Sequence, residues 1–148
     1  DDIDNKVCIK DAPTRNIENY IKYRDPVNHP SVFLRKSKVI EAGNYQEIFL
    51  NEDSYLWARM YSIGAKFANL PEELVYFRVD DNTYKRRGGW KYIKAEWKLQ
   101  KEYLRLGVIN KLEFWRNICL KSCVRVIPNF IRKFIYLKLL RKNKKGKK

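Results

Sequence analysis

Two adjacent carboxylates, Glu52 and Asp53, are the residues of this chain whose types and spacing best suit chemistry. They follow Asn51 and precede Tyr55, Leu56, Met60 and Ile63, a spacing that predicts a helix with Asn51 as its N-cap and Gly64 as its stop. Carboxylates in a first turn face the positive end of the helix dipole and tend to stay ionised. An Asp53 that lines a cleft can then act as general base on a hydroxyl nucleophile, although the same position also suits plain capping. The only histidine lies in Asn28-His29-Pro30, at the mouth of a predicted buried strand, where it can face a ligand or donate to a backbone carbonyl. A third group, Tyr84-Lys-Arg-Arg-Gly-Gly-Trp90, offers the planar donor forks of Arg86 and Arg87 beside two glycines that let backbone approach a ligand. That combination can hold a diphosphate, or form a loop of solvated charges. Asp2-Ile3-Asp4 spells an acidic pair of the kind a hard cation prefers, but no hydrophobic strand precedes it to present it rigidly, so no metal ligand is assigned in this chain.

The elements that must position these residues read as a mixture of helices and short strands. Ile17, Tyr20 and Ile21 predict a short helix that ends before Pro26, and the bulky run over residues 31–35 predicts a strand entered at Pro30. Residues 36–42 read as a helix stopped by Gly43, residues 74–79 as the strongest strand, and 80–82 as a loop. A long helix is expected from Trp90 to Gly107 and another from Ile109 to about Val126. Beyond Pro128, Phe130, Ile131, Phe134, Ile135 and Leu137 keep helical spacing with Arg132, Lys133 and Lys138 between them, and 142–148 form a basic run.

Composition narrows the class. At 148 residues and 17.9 kDa there is room for one small domain or a piece of a larger one, and 45% hydrophobic residues exclude a disordered or collagenous chain. The net charge of +15 is unevenly spread: residues 1–113 hold 20 basic and 17 acidic side chains, whereas 114–148 hold 12 basic and no acidic ones. A partner for that charge, anionic lipid in preference to nucleic acid, is therefore sought at the C-terminal end. Cys8, Cys119 and Cys123 are odd in number and lack metal-ligand spacing with His29, which favours a reducing, cytoplasmic setting. Neither a signal peptide nor an apolar stretch of membrane-spanning length is visible.

Taken in order, the segments Asn28-His-Pro-Ser-Val-Phe-Leu-Arg-Lys-Ser37, Ala42-Gly-Asn-Tyr45, Asn51-Glu-Asp-Ser-Tyr-Leu-Trp57, Gly64-Ala-Lys66, Asn69-Leu-Pro71, Leu74-Val-Tyr-Phe-Arg78 and Arg86-Arg-Gly-Gly89 resemble the C-terminal half of family 2 glycosyltransferases. These are GT-A-fold enzymes, among them bacterial ones that build capsular and other surface polysaccharides. The resemblance spans roughly 17–141, and the E-D-x-x-L-W element with the downstream R-R-G-G is its most specific part. It implies that Asp53 is the general base that deprotonates an acceptor hydroxyl and that Glu52 is its neighbour in the acceptor cleft. Trp57 would lie beneath the cleft as core or as a sugar platform, His29 would approach the donor sugar, and Arg86 and Arg87 would close over the diphosphate.

The family's nucleotide-binding half and its metal-binding D-x-D have no counterpart here. The resemblance therefore implies a fragment: a linker over 1–13, an acceptor-side α/β unit over 14–107, and a helical, basic, membrane-apposed extension over 108–148. A divalent cation, Mg2+ or Mn2+, is expected for the full-length family with its ligands largely outside this chain. The expected partners are a nucleotide-sugar donor and a saccharide or lipid-linked acceptor, with weak or no turnover by the fragment alone. The alternative function is a non-catalytic basic module at a membrane surface, and less favoured still is a nucleic-acid binder.

Overall fold

The pivot of the molecule is a helix with almost no solvent-facing side. The computed structural model describes residues 12–72, 74–76 and 89–126, the last three as backbone alone, and its elements run α1 (Ile17–Tyr20), a 3-10 turn (His29–Ser31), α2 (Lys36–Glu41), α3 (Glu52–Ser62), α4 (Trp90–Arg105) and α5 (Lys111–Val126). In α3 the seven residues from Ser54 to Met60 are all buried, and Leu56, Trp57 and Ala58 have no exposed surface. Burying each of the large side chains contributes about 2–3 kcal/mol, so α3 is held by its surroundings far more than by helix propensity.

Those surroundings come from both sides of the sequence. Ile21, Val27, Ala42 and Ile48 precede α3, while Leu99 and Tyr103 of α4, Val108 and Ile109 of the turn, and Phe114 and Ile118 of α5 close the same core. The described part of the expected extension, 108–126, therefore shares one core with 14–107 and does not stand apart from it. The first segment is tied to α5 directly: Lys22 pairs with Glu113 at 3.2 Å, and Asn117 donates its Nδ2 proton to the Lys22 carbonyl at 2.8 Å.

α4 and α5 form an antiparallel hairpin whose seam is polar. Gln100 donates to Glu96 Oε1 at 3.0 Å, Asn117 donates to Gln100 Oε1 at 3.0 Å, and Lys121 closes the chain of contacts on Glu96 at 2.7 Å. Glu96, Gln100 and Asn117 are buried, and mutual hydrogen bonding is what makes their burial tolerable. At the start of α5, Asn110 and Glu113 make a reciprocal capping box: Glu113 N–H donates to Asn110 Oδ1 at 2.8 Å and Asn110 N–H donates to Glu113 Oε2 at 2.9 Å. That backbone bond from Asn110, opposed by burial and aided by Lys22, holds the Glu113 carboxyl below its ordinary value.

The helix expectations over 36–42, 51–64 and 90–107 correspond to α2, α3 and α4, each followed by a left-handed glycine at 43, 64 and 107. The strand expectation over 31–35 differs. Among the described residues no strand forms, and this segment passes from a 3-10 turn into extended backbone with no ladder. Val32 and Leu34 pack on the core while Phe33 is fully exposed, so the apolar run is a one-sided edge of the core and not a buried strand. Likewise Leu74, Val75 and Tyr76 are exposed and irregular, and the rest of that expected strand lies outside the described residues. So do Asp2 and Asp4, Cys8, the Arg86-Arg87 loop and the basic segment after Val126. Among the described residues no helix is long and apolar enough to cross a membrane.

Candidate functional site

The backbone enters α3 through an unusual corner. Leu50 takes a left-handed φ of 64°, costly for a branched side chain, and Asn51 follows at φ −142°. Asn51 makes no side-chain cap; instead Asp53 Oδ1 accepts the Ser54 N–H at 2.8 Å, satisfying one donor that the helix leaves without an internal partner. Asp53 is half-buried and Glu52 exposed, so the two carboxylates expected in the first turn stand at the rim of the core.

The helix end below them is polar and tightly organised. Ser54 Oγ donates to Asp25 Oδ1 at 2.6 Å, and Tyr103 Oη donates to the Ser54 carbonyl at 3.2 Å. Complete burial, and then the charges of Asp25, Glu96 and Asp53, push the Tyr103 hydroxyl well above its ordinary value. Tyr103 is thus kept as a proton donor, which fixes the first turn of α3 against α4. At the next residue, Tyr55 Oη donates to Glu102 Oε2 at 3.0 Å beside Arg105.

His29 and Tyr45 face each other on the solvent side of Trp57. Their side chains share a hydrogen bond of 3.0 Å between Nε2 and Oη, and the rings meet edge-on with centroids 5.9 Å apart. Both are exposed, and the His29 ring also lies 6.1 Å from that of Trp57. Burial first, and then the Asp53 charge, raise the Tyr45 hydroxyl, so its proton is retained in the neighbourhood of the carboxylate. Trp57 has no exposed surface and stacks edge-on with Phe67, 6.5 Å between centroids. Of its two expected roles the geometry gives that of core: a platform needs an open ring face, and this indole is covered.

The loop that presents Tyr45 is clamped from beneath by a residue that sequence reasoning passed over. Arg59 is buried; its Nη1 donates to the Ala42 carbonyl and its Nη2 to the Asn44 carbonyl at 2.6 Å, while the guanidinium lies 4.6 Å from the centre of the Tyr55 ring. Burial lowers the pKa of this group from its ordinary value. Gly43 is required at the intervening turn: φ is +83°, and a Cβ there would approach Arg59 Nη1 to 3.2 Å and Gln46 Nε2 to 3.1 Å. A readable signal existed in the arginine placed seven residues after Glu52, on a helix otherwise apolar at that depth.

The structure thus gathers His29, Asp53 and Trp57 around α3 and adds Tyr45 and Arg59 to them, while Arg86 and Arg87 lie outside the described residues. Among the described residues no group of three or more His, Cys, Asp or Glu side chains could hold a metal ion.

Comparison with known proteins bears on what such a rim is for. Over 138 residues the chain is 38% identical to the UDP-Gal:alpha-D-GlcNAc-diphosphoundecaprenol beta-1,3-galactosyltransferase of Escherichia coli, a match that covers 93% of this chain and 50% of that protein. It is 38% identical over 138 residues to an uncharacterized glycosyltransferase of Haemophilus influenzae, covering 92% of this chain and 51% of that one. The amylovoran biosynthesis glycosyltransferase AmsE of Erwinia amylovora is 34% identical over 135 residues, with 90% of this chain and 51% of AmsE covered. No family model matches, and no solved structure does. These curated relatives are glycosyltransferases, two of them named for lipid-linked sugar or polysaccharide synthesis, and the chain spans about half the length of each.

Proposed function

We propose that this chain is the acceptor-side part of an inverting glycosyltransferase of family 2, with a GT-A fold completed by a nucleotide-binding half. The observation that supports this most is the similarity to glycosyltransferases over more than nine-tenths of the chain. The rim at the start of α3 supplies the chemistry. Asp53 takes the proton from an acceptor hydroxyl as that oxygen attacks the anomeric carbon of a nucleotide sugar; the bond to the diphosphate breaks, and the nucleotide leaves with the electron pair. A single in-line displacement inverts the anomeric centre. Asp53 lies at a helix start whose N–H donors face it, and Tyr103 and Ser54 fix that turn, so the base is held in place before substrate arrives. Glu52 borders the same cleft, and His29 with Tyr45 forms the wall against which a sugar ring packs.

A divalent cation belongs to the expected chemistry of the complete enzyme, where, held by ligands largely outside this chain, it would neutralise the departing diphosphate. The acceptor class is a saccharide or a lipid-linked sugar, as in the diphosphoundecaprenol acceptor named for the E. coli relative. The test is Asp53→Asn in the full-length enzyme. Loss of a general base lowers kcat by about 10²–10⁴-fold while donor binding is kept. A kcat within about threefold of wild type removes Asp53 from the role.

A further inference from the structure

The α4–α5 hairpin presents an outer surface that nothing in the proposed reaction uses. On α4, Lys91, Lys94, Lys98 and Lys101 are all exposed at spacings of three and four residues, which places them in one stripe along the helix. On α5, Leu112 is 79% exposed, Trp115 58% and Leu120 62%, and Cys119 and Cys123 are exposed beside them. The two surfaces meet at an aromatic cluster: Trp97 contacts Phe114 and Trp115 with centroids 5.3 and 5.8 Å apart, and the Lys101 ammonium lies 5.7 Å from the centre of the Trp97 ring. Trp90, at the head of the lysine stripe, is 76% exposed.

The charge on this hairpin is strongly biased, and its acids are consumed internally. Residues 90–126 contain nine basic and three acidic side chains. Glu96 pairs with Lys121, Glu102 with Arg105 and Glu113 with Lys22, so each acid of the hairpin has its ion pair outside the lysine stripe, and of the four lysines only Lys98 also feels a hairpin carboxylate, that of Glu102. The chain that follows, 127–148, adds nine more basic residues and no acidic one. An exposed aliphatic and tryptophan ridge beside a row of long basic side chains matches one environment well: the interface of an anionic bilayer, where indoles sit at headgroup depth and ammonium groups reach lipid phosphates.

We propose that the outer face of the α4–α5 hairpin seats the protein on an anionic lipid surface, with Trp115 and Leu112 entering the headgroup layer and the four lysines of α4 on the phosphates. This widens the membrane contact from the basic extension expected over 108–148 to α4 and a defined face of the folded hairpin, and so fixes the orientation of the domain above the lipid. The inference is independent of the assignment of Asp53.

The experiment uses the full chain and vesicles of phosphatidylglycerol mixed with phosphatidylcholine, against vesicles of phosphatidylcholine only. Binding to the anionic vesicles that weakens as salt rises is expected, with slower maleimide modification of Cys119 and Cys123 in the bound state. Lys94→Gln/Lys98→Gln/Lys101→Gln lowers partition by about tenfold to a hundredfold with the terminal basic run intact, and Trp115→Ser lowers it by about tenfold. Neither variant changes the far-ultraviolet spectrum, since these side chains bury little. In the complete enzyme both leave turnover on a short, water-soluble acceptor unchanged, which separates failure here from failure of the catalytic assignment. Unchanged partition of both variants overturns the proposal and leaves the terminal run as the sole lipid contact. Preference for RNA over anionic vesicles, or concentration-dependent self-association that Trp115→Ser abolishes in the absence of lipid, overturns it equally.

Discussion

α3 and α5 put similar apolar content to opposite uses. The shorter helix, α3, is enclosed over seven consecutive residues and keeps only its two ends at the rim, whereas α5 seats Phe114, Asn117 and Ile118 and leaves Leu112, Trp115 and Leu120 in solvent. The difference shows where the molecule invests rigidity. A carboxylate meant to take a proton must not wander, and α3 is fixed by core on all sides, by Tyr103 at its start and by Arg59 near its end. An outer face meant to meet something deformable needs no such fixing.

The sharpest way to break this comparison is to truncate one tryptophan from each helix. Trp57→Ala should cost about 3–5 kcal/mol, enough to leave a small domain marginal, while Trp115→Ala should cost less than about 1 kcal/mol. Urea denaturation followed by circular dichroism measures both, and equal losses would mean that the two faces are not different in kind. Next in size is Arg59→Leu, which leaves the Ala42 and Asn44 carbonyls without their donor; about 2 kcal/mol of stability should go, together with the fixed position of Tyr45. The smallest effect belongs to the α5 cap. Glu113→Gln should cost about 1 kcal/mol at neutral pH. Because the folded state lowers the Glu113 pKa, this contribution is complete above the ordinary carboxylate range and is lost as pH falls through the lowered value. The gap between wild type and variant should therefore close between about pH 5 and about pH 3 in a pH series of denaturation midpoints, and a gap that widens toward acid would contradict the cap geometry.

Local signals were legible in the sequence and distant ones were not. Gly43, Gly64 and Gly107 each announce a helix end, because only glycine adopts the left-handed turn there without strain. The Asn110-x-x-Glu113 signature was equally readable, although helix spacing alone set the expected start at Ile109. The run over 31–35 misled because apolar type and apolar burial are different things: Val32 and Leu34 face in and Phe33 faces out, and no neighbouring strand exists among the described residues to make a ladder. At the site, Asp53 and His29 stood out by type. Their relation to Tyr45 and Arg59 depends on contacts across 15–17 residues that no periodicity encodes. Trp57 was open between platform and core until packing decided it. The buried Glu96-Gln100-Asn117 network hid in the same way, since polar residues at helical spacing read as a solvated face until a second helix covers them.

Lys22 joins α5 twice, across 91 residues through its side chain and across 95 through its carbonyl. On a ribosome the chain is made from the other end, so the first segment emerges long before the helix it is tied to exists. Until Phe114 and Ile118 arrive, the core they share with Ile21, Leu99 and Tyr103 is incomplete and leaves apolar surface exposed. Among the described helices the last to be synthesised is thus the one that pins the first segment to the α4–α5 hairpin.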